Sequence, residues 1–340
     1  MDLKKAIKDA ERLLKEFINT LDIILVANVL GPRGYDNTLQ TNCSETEHFT
    51  VQEFNEIYQG IVNGGFFIRI VHFSELDFVK EMTLHPKIYA NTVIINLCRN
   101  GIGMNRKVVI PAICDLLGVK YTSSGSAQCA IARNKWLFST LLNSNGIASP
   151  VTGLDKKDLV DKLKKSTMVI CKPNNESASQ GVDHNSIMEL SAVPECIAGG
   201  LLIQEFIDGY ECEVPILCSN GKCFALPPVG ISMGTNASSN ILSYDMSKAD
   251  DYGFYSLTEL LSHKICAEIM QDAIRTFELL GLEKYGRVDF RIDKNNNAHY
   301  VIDISTTPYI TRHSSFAYAV ENNGGSYSDI YKLIVAAALQ

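Results

Sequence analysis

The stretch GRVDFRIDKNNNAHYVIDIS (286–305) has the pattern of two β-strands joined by a tight turn. In its first half apolar and polar residues alternate, which predicts a strand with one apolar and one polar face. The polar run 293–297 supplies turn residues. On the return, the same alternation predicts that Ile302 and Ile304 share the apolar face with Tyr300.

A hairpin that turns at Asn296 places Asp289 opposite Asp303 and Arg287 opposite Ser305. Directly opposed side chains lie about 4.5–5.5 Å apart at Cβ, where two like charges destabilise a sheet. Two facing carboxylates therefore need a cation between them, or one must stay protonated. A Mg²⁺ ion that keeps its waters and bridges substrate phosphates would satisfy the pair.

Two other interpretations of the hairpin are alternatives to a metal site. A solvated strand face, with its acids paired to Arg287 and Arg291, explains the alternation equally well. A calcium-binding EF-hand loop beginning at Asp293 is excluded. Ala298 replaces the turn glycine, and Ile304 stands where a bidentate glutamate belongs.

Composition limits the possible classes of protein. The chain has 340 residues, of which 46% are apolar and 20% charged, so it can bury the cores of two or three domains. The net charge is −7, which gives no overall basic field for a polyanion. Nucleic acid is therefore not expected as a partner, although a local basic pocket could hold a small phosphate.

Ten cysteines are present without any C-x-x-C pair, and several lie inside apolar runs. This pattern predicts reduced core cysteines in a cytoplasmic protein, without a zinc ribbon or a disulfide framework. The N-terminal segment 1–17 is rich in charge, unlike a signal peptide, and is expected to form an amphipathic helix. No apolar stretch reaches membrane-spanning length, so no membrane association is expected.

Strands alternate with helices up to about residue 125, which predicts a parallel α/β sheet. The predicted strands of that sheet are 21–30, 66–73, 91–98 and 119–121, with helices at 51–62 and 111–117. A single amphipathic helix is expected at 131–145. Two short strands, 167–173 and 201–207, follow. The remainder is expected to be α+β, with long helices near 257–280 and 328–339.

Two lysines are candidate phosphate ligands, although each alone is commonly a surface residue. Lys172 ends an apolar strand, and Lys135 begins a helix. The small polar loop NNESASQG (174–181) could close over phosphates with its backbone amides, or could be an exposed hairpin tip. No P-loop is present, and Gly101-Ile-Gly103 only half-matches a dinucleotide fingerprint because Arg106 replaces the third glycine.

The segment QEFI (204–207) ends another strand, and Gly209 turns the chain so that Glu211 points back. An adenine ring needs an apolar slot with a backbone donor and acceptor at its rim, and a ribose suits a carboxylate. This segment offers both, although core strands with a terminal glutamate are common.

Four blocks, in this order, resemble the ATP-grasp superfamily and within it the D-alanine–D-alanine ligases. They are TSSGSAQCAIARNKW (122–136), VICKPNNESASQGV (169–182), LIQEFIDGYECEV (202–214) and GRVDFRIDKNNNAHYVIDISTTPYITRHS (286–314). The resemblance runs from about residue 92 to the end. Earlier in the chain, Thr46-Glu47-His48 looks like the N-terminal Glu-His segment of that family.

The resemblance implies a three-part fold that combines α/β and α+β architecture. An N-terminal parallel-sheet domain (1–125) would precede a central lobe (126–207) and a C-terminal lobe (208–340), with ATP clamped between the two lobes. The implied ATP contacts fall into four groups. The phosphates would be held by Lys135, Lys172 and Lys248, under a lid at 177–181. Further contacts there would come from Glu176, Ser177 and Ser179. Adenine would be held by Gln204, Glu205, Phe206 and Ile207, and ribose by Glu211.

The resemblance also assigns the reacting end of the site. Asp289, Asp303 and Ser305 would bind one or two Mg²⁺ ions. The implied catalytic residues are Arg287, Lys248 and Glu47, with Arg287 stabilising a tetrahedral oxyanion together with the backbone N–H of Tyr309. Tyr309 and Ser314 would contact substrate. The implied reaction makes an acyl phosphate from a small-molecule carboxylate and transfers the acyl group to an amine, in a protein that is often a homodimer.

Several residues depart from the family pattern around the amino-acid pockets. Asp303-Ile304-Ser305 stands in place of Glu-x-Asn, and Tyr309 in place of a glycine. The lid serine is matched by Ala178, and a tyrosine near Ala249 is missing. We therefore expect a ligase whose substrates are not two D-alanines. The alternatives are D-alanine–D-alanine ligation for peptidoglycan synthesis, ligation onto a carrier-bound or peptide substrate, and ATP binding without turnover.

Overall fold

The N-terminal part contains the predicted parallel sheet. The computed structural model describes residues 2–17, 20–30, 47–195, 199–234 and 241–340. The four strands are Asp22–Ala27 (β1), Phe67–His72 (β2), Thr92–Leu97 (β3) and Lys120–Tyr121 (β4), all parallel in the order β2-β1-β3-β4. The helices around them are Leu3–Lys15 (α1), Val51–Asn63 (α2), Glu75–Leu84 (α3) and Val109–Leu117 (α4). The prediction of a parallel α/β sheet is confirmed.

Both faces of this sheet are covered, which explains why β1 reads as a continuous apolar run. Ile23 and Leu25 pack into a core shared with α1, α2 and the C-terminal helix. Ile24 and Val26 point the other way, into a core with Phe78 of α3. Successive residues of one strand thus connect two separate cores.

The middle part begins with two helices, Ser126–Arg133 (α5) and Lys135–Ser144 (α6), where one helix at 131–145 was predicted. That prediction is wrong because Asn134 leaves the helical conformation, and its side chain accepts a hydrogen bond from Leu137 N (2.9 Å) as the N-cap of α6. An antiparallel sheet follows in the order β5-β8-β6-β7. Its strands are Thr152–Gly153 (β5), Met168–Pro173 (β6), Ile187–Glu189 (β7) and Leu201–Glu205 (β8).

The C-terminal part is built on an antiparallel sheet in the order β12-β11-β9-β13-β14, with β10 paired to β9. Its strands are Gly209–Ser219 (β9), Lys222–Ala225 (β10), Val229–Met233 (β11), Tyr252–Ser256 (β12), Tyr285–Asp293 (β13) and His299–Ser305 (β14). The helices are Tyr244–Ala249 (α7), His263–Leu279 (α8), Ser315–Asn322 (α9) and Tyr327–Leu339 (α10). Helix α10 crosses back to pack on α1 and α2.

The hairpin β13–β14 has the predicted register at its functional end. Asp289 lies opposite Asp303 and Arg287 opposite Ser305. Nearer the turn the register differs by one residue, because Ile302 is an additional residue that forms a β-bulge.

The bulge changes which residues of β14 share a face. Val301 and Ile304 enter the core, whereas Ile302 lines a cleft beside Asp303. The prediction that Tyr300, Ile302 and Ile304 share one apolar face is therefore wrong. Without the bulge, the register observed next to the turn would have continued and placed Ile302 opposite Asp289.

Two further features bear on the predictions from composition. Cys218 and Cys223, directly opposite each other on β9 and β10, form a disulfide, so the expectation of reduced cysteines is wrong for this pair. The remaining described cysteines are free thiols. Among the described helices, none combines the length and apolar character needed to cross a membrane.

Candidate active site

A cleft lies between the middle sheet and the hairpin β13–β14, and it encloses about 910 Å³ of space including its open mouth. It is lined by most residues that the sequence assigns to ATP and metal. These are Lys135, Lys172, Glu176, Ser177, Ser179, Gln204, Glu205, Phe206, Ile207, Glu211, Arg287, Asp289 and Asp303.

Two lysines supply the positive charge in the cleft. Lys172 is buried near the end of β6, and burial lowers its pKa to about 8, with the nearby ammonium of Lys135 acting in the same direction. Lys135, at the start of α6, lies 3.2 Å from Asp303 Oδ1 and donates to the carbonyl oxygen of Glu176 (2.5 Å). The first turn of α6 and the end of β6 thus bring two cations to one end of the cleft.

The hairpin supplies the acids. Asp289 accepts two hydrogen bonds from Arg287, at Oδ1 from Nε (2.7 Å) and at Oδ2 from Nη2 (2.8 Å). Arg287 Nη2 also lies 2.9 Å from Glu213 Oε1 on the neighbouring strand β9. Burial raises the pKa of Asp289 to about 7, against the opposing effect of Arg287. Burial also acts to raise the pKa of Asp303, but Lys135 and the other cleft lysine outweigh it, and that pKa falls below its usual range.

The hairpin carboxylates fit the requirements of Mg²⁺, and the metal site stays a prediction. Within the described residues, no group of three or more His, Cys, Asp or Glu side chains could enclose a metal by itself. Mg²⁺ does not require such a cage, because it is commonly held by one or two carboxylates together with substrate phosphates and water. Asp289 and Asp303 face one another across the hairpin and provide that donor set.

The end of the cleft that the sequence assigns to adenine is formed by β8 and the chain that follows it. Gln204 is buried and donates from Nε2 to Thr152 Oγ1 (3.0 Å). Arg291 donates from Nε to the carbonyl oxygen of Ile207 (2.7 Å) and lies 4.9 Å from the centre of the Phe206 ring. Glu211, assigned to the ribose, lies with Oε2 3.3 Å from the same arginine. Both acidic and aromatic groups are therefore held in place before any ligand arrives.

The loop 174–182 covers the cleft and is tied to the N-terminal part through Glu47. The Ser177 hydroxyl donates to Glu47 Oε1 and accepts from Arg133 Nη1. The loop residue that contacts Glu47 through a hydroxyl is thus Ser177, which lies one position before Ala178, the residue matched to the lid serine of the family. Ala178 and Ser179 adopt left-handed φ values of +52° and +54°. Residues other than glycine and asparagine rarely adopt this conformation.

The predicted residues that do not line the cleft, apart from Glu47, lie in four places. Lys248 is on the exposed side of α7. Ser305 is opposite Arg287 in the hairpin. Tyr309 packs against the guanidinium of Arg99, whose Cζ is 4.0 Å from the ring centre. Ser314 is buried as the N-cap of α9, with its hydroxyl donating to Thr311 O (2.6 Å).

Sequence reasoning missed the partners of Glu47. This carboxylate is fully buried, and Oε2 accepts from Arg106 Nη1 (2.6 Å) while Oε1 accepts from Arg133 Nη2 (2.8 Å). Arg106 also contacts Glu176 Oε2 (2.5 Å). The only sequence signal was that Arg106 interrupts a glycine-rich fingerprint, and this gave no indication of its partner.

Comparison with known proteins identifies the class to which this fold and cleft belong. The D-alanine–D-alanine ligase of Bacillus anthracis complexed with ATP superposes with a TM-score of 0.65 at 18% identity, over 94% of this chain and 97% of that one. The ligase of Coxiella burnetii gives the same TM-score at 17% identity, over 94% of each chain. The fold is therefore that of the ATP-grasp ligases, as predicted.

Sequence comparison gives the family. The family described as "D-ala D-ala ligase C-terminus" matches residues 150–336, and the chain belongs to it. The D-alanine–D-alanine ligase of Carboxydothermus hydrogenoformans is 24% identical over 246 residues, which is 68% of this chain and 77% of that protein. The uncharacterized protein y4sG of Sinorhizobium fredii is 24% identical over 265 residues, or 76% and 78%. The chain is thus an ATP-grasp enzyme of the class that forms C–N bonds.

Proposed function

We propose that this chain is an ATP-dependent carboxylate–amine ligase that activates a small-molecule carboxylate as an acyl phosphate. The observation that carries the proposal is the meeting of Lys135, Lys172, Asp289 and Asp303 in one cleft. Two cations for a triphosphate and two facing carboxylates for a divalent ion are the groups that phosphoryl transfer needs. The ATP complex of the B. anthracis ligase supports ATP as the nucleotide.

In the first step, an oxygen of the substrate carboxylate attacks the γ-phosphorus, and the bond to the ADP oxygen breaks. Lys135 and Lys172 are proposed to hold the phosphates, so that positioning and electrostatics supply most of the rate. Asp289 and Asp303 would hold Mg²⁺, which neutralises charge on the phosphates when it is bound. Closure of the loop 174–182 would exclude water from the acyl phosphate.

In the second step, the amine nitrogen attacks the acyl carbon, loses a proton, and phosphate leaves. Arg287 is proposed to stabilise the tetrahedral oxyanion together with the backbone N–H of Tyr309. Arg287 is well suited because Asp289 and Glu213 fix its guanidinium from two sides. The products are an amide or peptide bond, ADP and phosphate.

We propose substrates other than two D-alanines. In support, Glu47 is already paired with two arginines, and Tyr309 carries the Arg99 guanidinium on its ring. D-alanine–D-alanine ligation is the second candidate, supported by the D-alanine–D-alanine ligases among the relatives. We also propose the boundaries after residues 125 and 207 and a homodimer from the family resemblance, and a cytoplasmic location from the cysteine pattern and the charged N-terminal segment.

The test is a phosphate-release screen of carboxylate and amine pairs with Mg²⁺ and ATP. We expect ADP only when both a carboxylate and an amine are present, and little turnover with D-alanine alone. Lys172→Met should abolish turnover, whereas Lys264→Met, an exposed lysine of α8, should leave it unchanged. ATP binding without ADP formation from any pair would show that the chain is a nucleotide-binding protein without ligase turnover.

A further inference from the structure

A group of buried charged side chains lies behind the loop that covers the cleft. We define this anion cluster as Glu47, Arg106, Lys107, Arg133 and Glu176. The first four side chains are less than 10% exposed, and Glu176 lines the cleft. Two arginines hold both oxygens of the Glu47 carboxylate, and both also lie within ion-pair distance of Glu176, Arg106 at 2.5 Å and Arg133 at 3.8 Å. The cluster thus joins the N-terminal part to the proposed reaction site.

Lys107 differs from the other members of the anion cluster. Its side chain is 7% exposed, and among the described residues it forms no ion pair, although the Glu47 carboxylate favours its charged form. Its backbone is held in the left-handed region at φ +65°. A lysine in this region is uncommon and is maintained only by its surroundings. A buried cation is expected to have an anionic partner, because taking a charge out of water is otherwise costly.

Other buried donors lie around Arg99 and Arg133, the two arginines that act on the charge of Lys107, and they also lack partners within the described ranges. Arg133 Nε, the Tyr285 hydroxyl and Thr307 Oγ1 are buried without a hydrogen-bond partner among the described residues. Tyr285 and Lys107 are influenced by the same two neighbours, Arg99 and Cys129, so they share one environment. Buried polar groups are normally satisfied, and each exception requires an explanation.

We propose that the anion cluster binds a second anionic group on the carboxylate donor, so that the donor is a dicarboxylate or a phosphorylated carboxylate. This inference rests on the proposed ligase function and specifies its substrate. An ammonium, an N–H and hydroxyls can all donate hydrogen bonds to an acceptor-only anion. A carboxylate substrate that carried a free ammonium would be repelled by Lys107 and Arg133. It would also find the Glu47 carboxylate already shared by Arg106 and Arg133.

The test is calorimetric titration of the full chain, saturated with Mg²⁺ and a non-hydrolysable ATP analogue. The probes are succinate, phosphoglycolate, propionate and D-alanine. We expect succinate or phosphoglycolate to bind at least ten times tighter than propionate, and D-alanine no tighter than propionate. Succinate and phosphoglycolate distinguish a carboxylate from a phosphate as the second group recognised. Absence of measurable binding by both, or tightest binding by D-alanine, would overturn the inference.

Lys107→Met is expected to abolish the preference for the dianion, with the affinity for the ATP analogue unchanged. The variant should fold, because it replaces a buried amine without an ion-pair partner in the described part of the chain by an apolar side chain of similar length. Lys264→Met, the matched exposed lysine, should retain the preference. If Lys107→Met retained it too, the assignment of this side chain would be refuted.

Binding of the dianion should also take up a proton near neutral pH. Burial lowers the pKa of Lys107 to about 7, with Arg99 and Arg133 acting in the same direction and Glu47 and Cys129 opposing them. An anion bound beside it restores the charged form. The binding enthalpy should therefore depend on the ionisation enthalpy of the buffer at pH 7.5 in the wild type and lose this dependence in Lys107→Met.

Failure of this inference and failure of the ligase proposal give different results. A chain that prefers dianions but forms no ADP with any amine refutes ligation alone. A chain that joins D-alanine efficiently and ignores dianions refutes the anion site alone.

Discussion

Replacing Glu47 with glutamine tests whether the buried network around it holds the N-terminal part against the loop 174–182. The substitution keeps the shape of the side chain and removes its charge. Arg106 and Arg133, which are 2.6 and 2.8 Å from the Glu47 oxygens and almost fully buried, would then share only the half-buried Glu176. Removing one partner of a buried ion pair costs about 3–5 kcal/mol.

The assay is thermal unfolding followed by fluorescence of Trp136, the single tryptophan, which lies in α6 beside this network. At about 2–4 °C per kcal/mol, Glu47→Gln should lower the unfolding temperature by at least about 6 °C. Glu268→Gln is the matched control, because its exposed contact with Lys264 is worth under about 1 kcal/mol.

A double variant separates loss of the network from a general loss of packing. Glu47→Gln combined with Arg133→Met removes a cation together with the lost anion. The double variant should therefore be more stable than the sum of the two single changes predicts, by about 0.5–3 kcal/mol. The reasoning would be refuted by strict additivity, or by a Glu47→Gln variant that unfolds within about 2 °C of the wild type.

Three further predictions concern the cleft and the hairpin β9–β10. Asp289→Asn should raise the Mg²⁺ concentration for half-maximal ADP formation at least about tenfold, and an unchanged Mg²⁺ requirement would contradict the metal assignment. ATP affinity should be constant below about pH 8 and fall above it, because ligand-free Lys172 loses its proton there; Lys172→Arg should give a flat profile, and a flat wild-type profile would contradict the prediction. Cys218→Ser should lower the free energy of unfolding by at most about 2 kcal/mol, because the disulfide closes a loop of only a few residues. Reductant should then destabilise the wild type but leave the variant unchanged, and equal sensitivity of both proteins would argue against this bridge.

Local pattern was sufficient to predict the elements whose structure depends on their own residues. The alternation in 286–293 gave the strand β13, and the apolar run before Lys172 gave β6. The sequence did not reveal the bulge at Ile302, because alternation assumes a regular strand. The pairing of Asp289 with Asp303 was nevertheless predicted correctly. The assumed turn centre differed from the observed register near the turn by one residue, and the additional residue of the bulge cancelled this difference.

Contacts between distant parts of the chain could not be predicted in this way. Glu47 is 59 residues from Arg106 and 86 from Arg133. Each arginine taken alone is indistinguishable from a surface residue, and only the packing of α5 against the loop at 103–107 buries them together. The break at Asn134 was missed for a related reason, since an asparagine in an apolar-periodic run is compatible with both a helix interior and an N-cap.

The charges of the cleft favour binding of metal and nucleotide together. Asp303 is held by Lys135, and Asp289 by Arg287, so both carboxylates have partners before any ligand is present. Under the proposed function, the two interpretations of the hairpin, ion-paired acids and a metal site, would describe successive states of the same residues. When phosphates draw Lys135 and Lys172 away, the carboxylate of Asp303 loses its cation and becomes available to a divalent ion. Mg²⁺ is accordingly expected to bind with the triphosphate and only weakly without it.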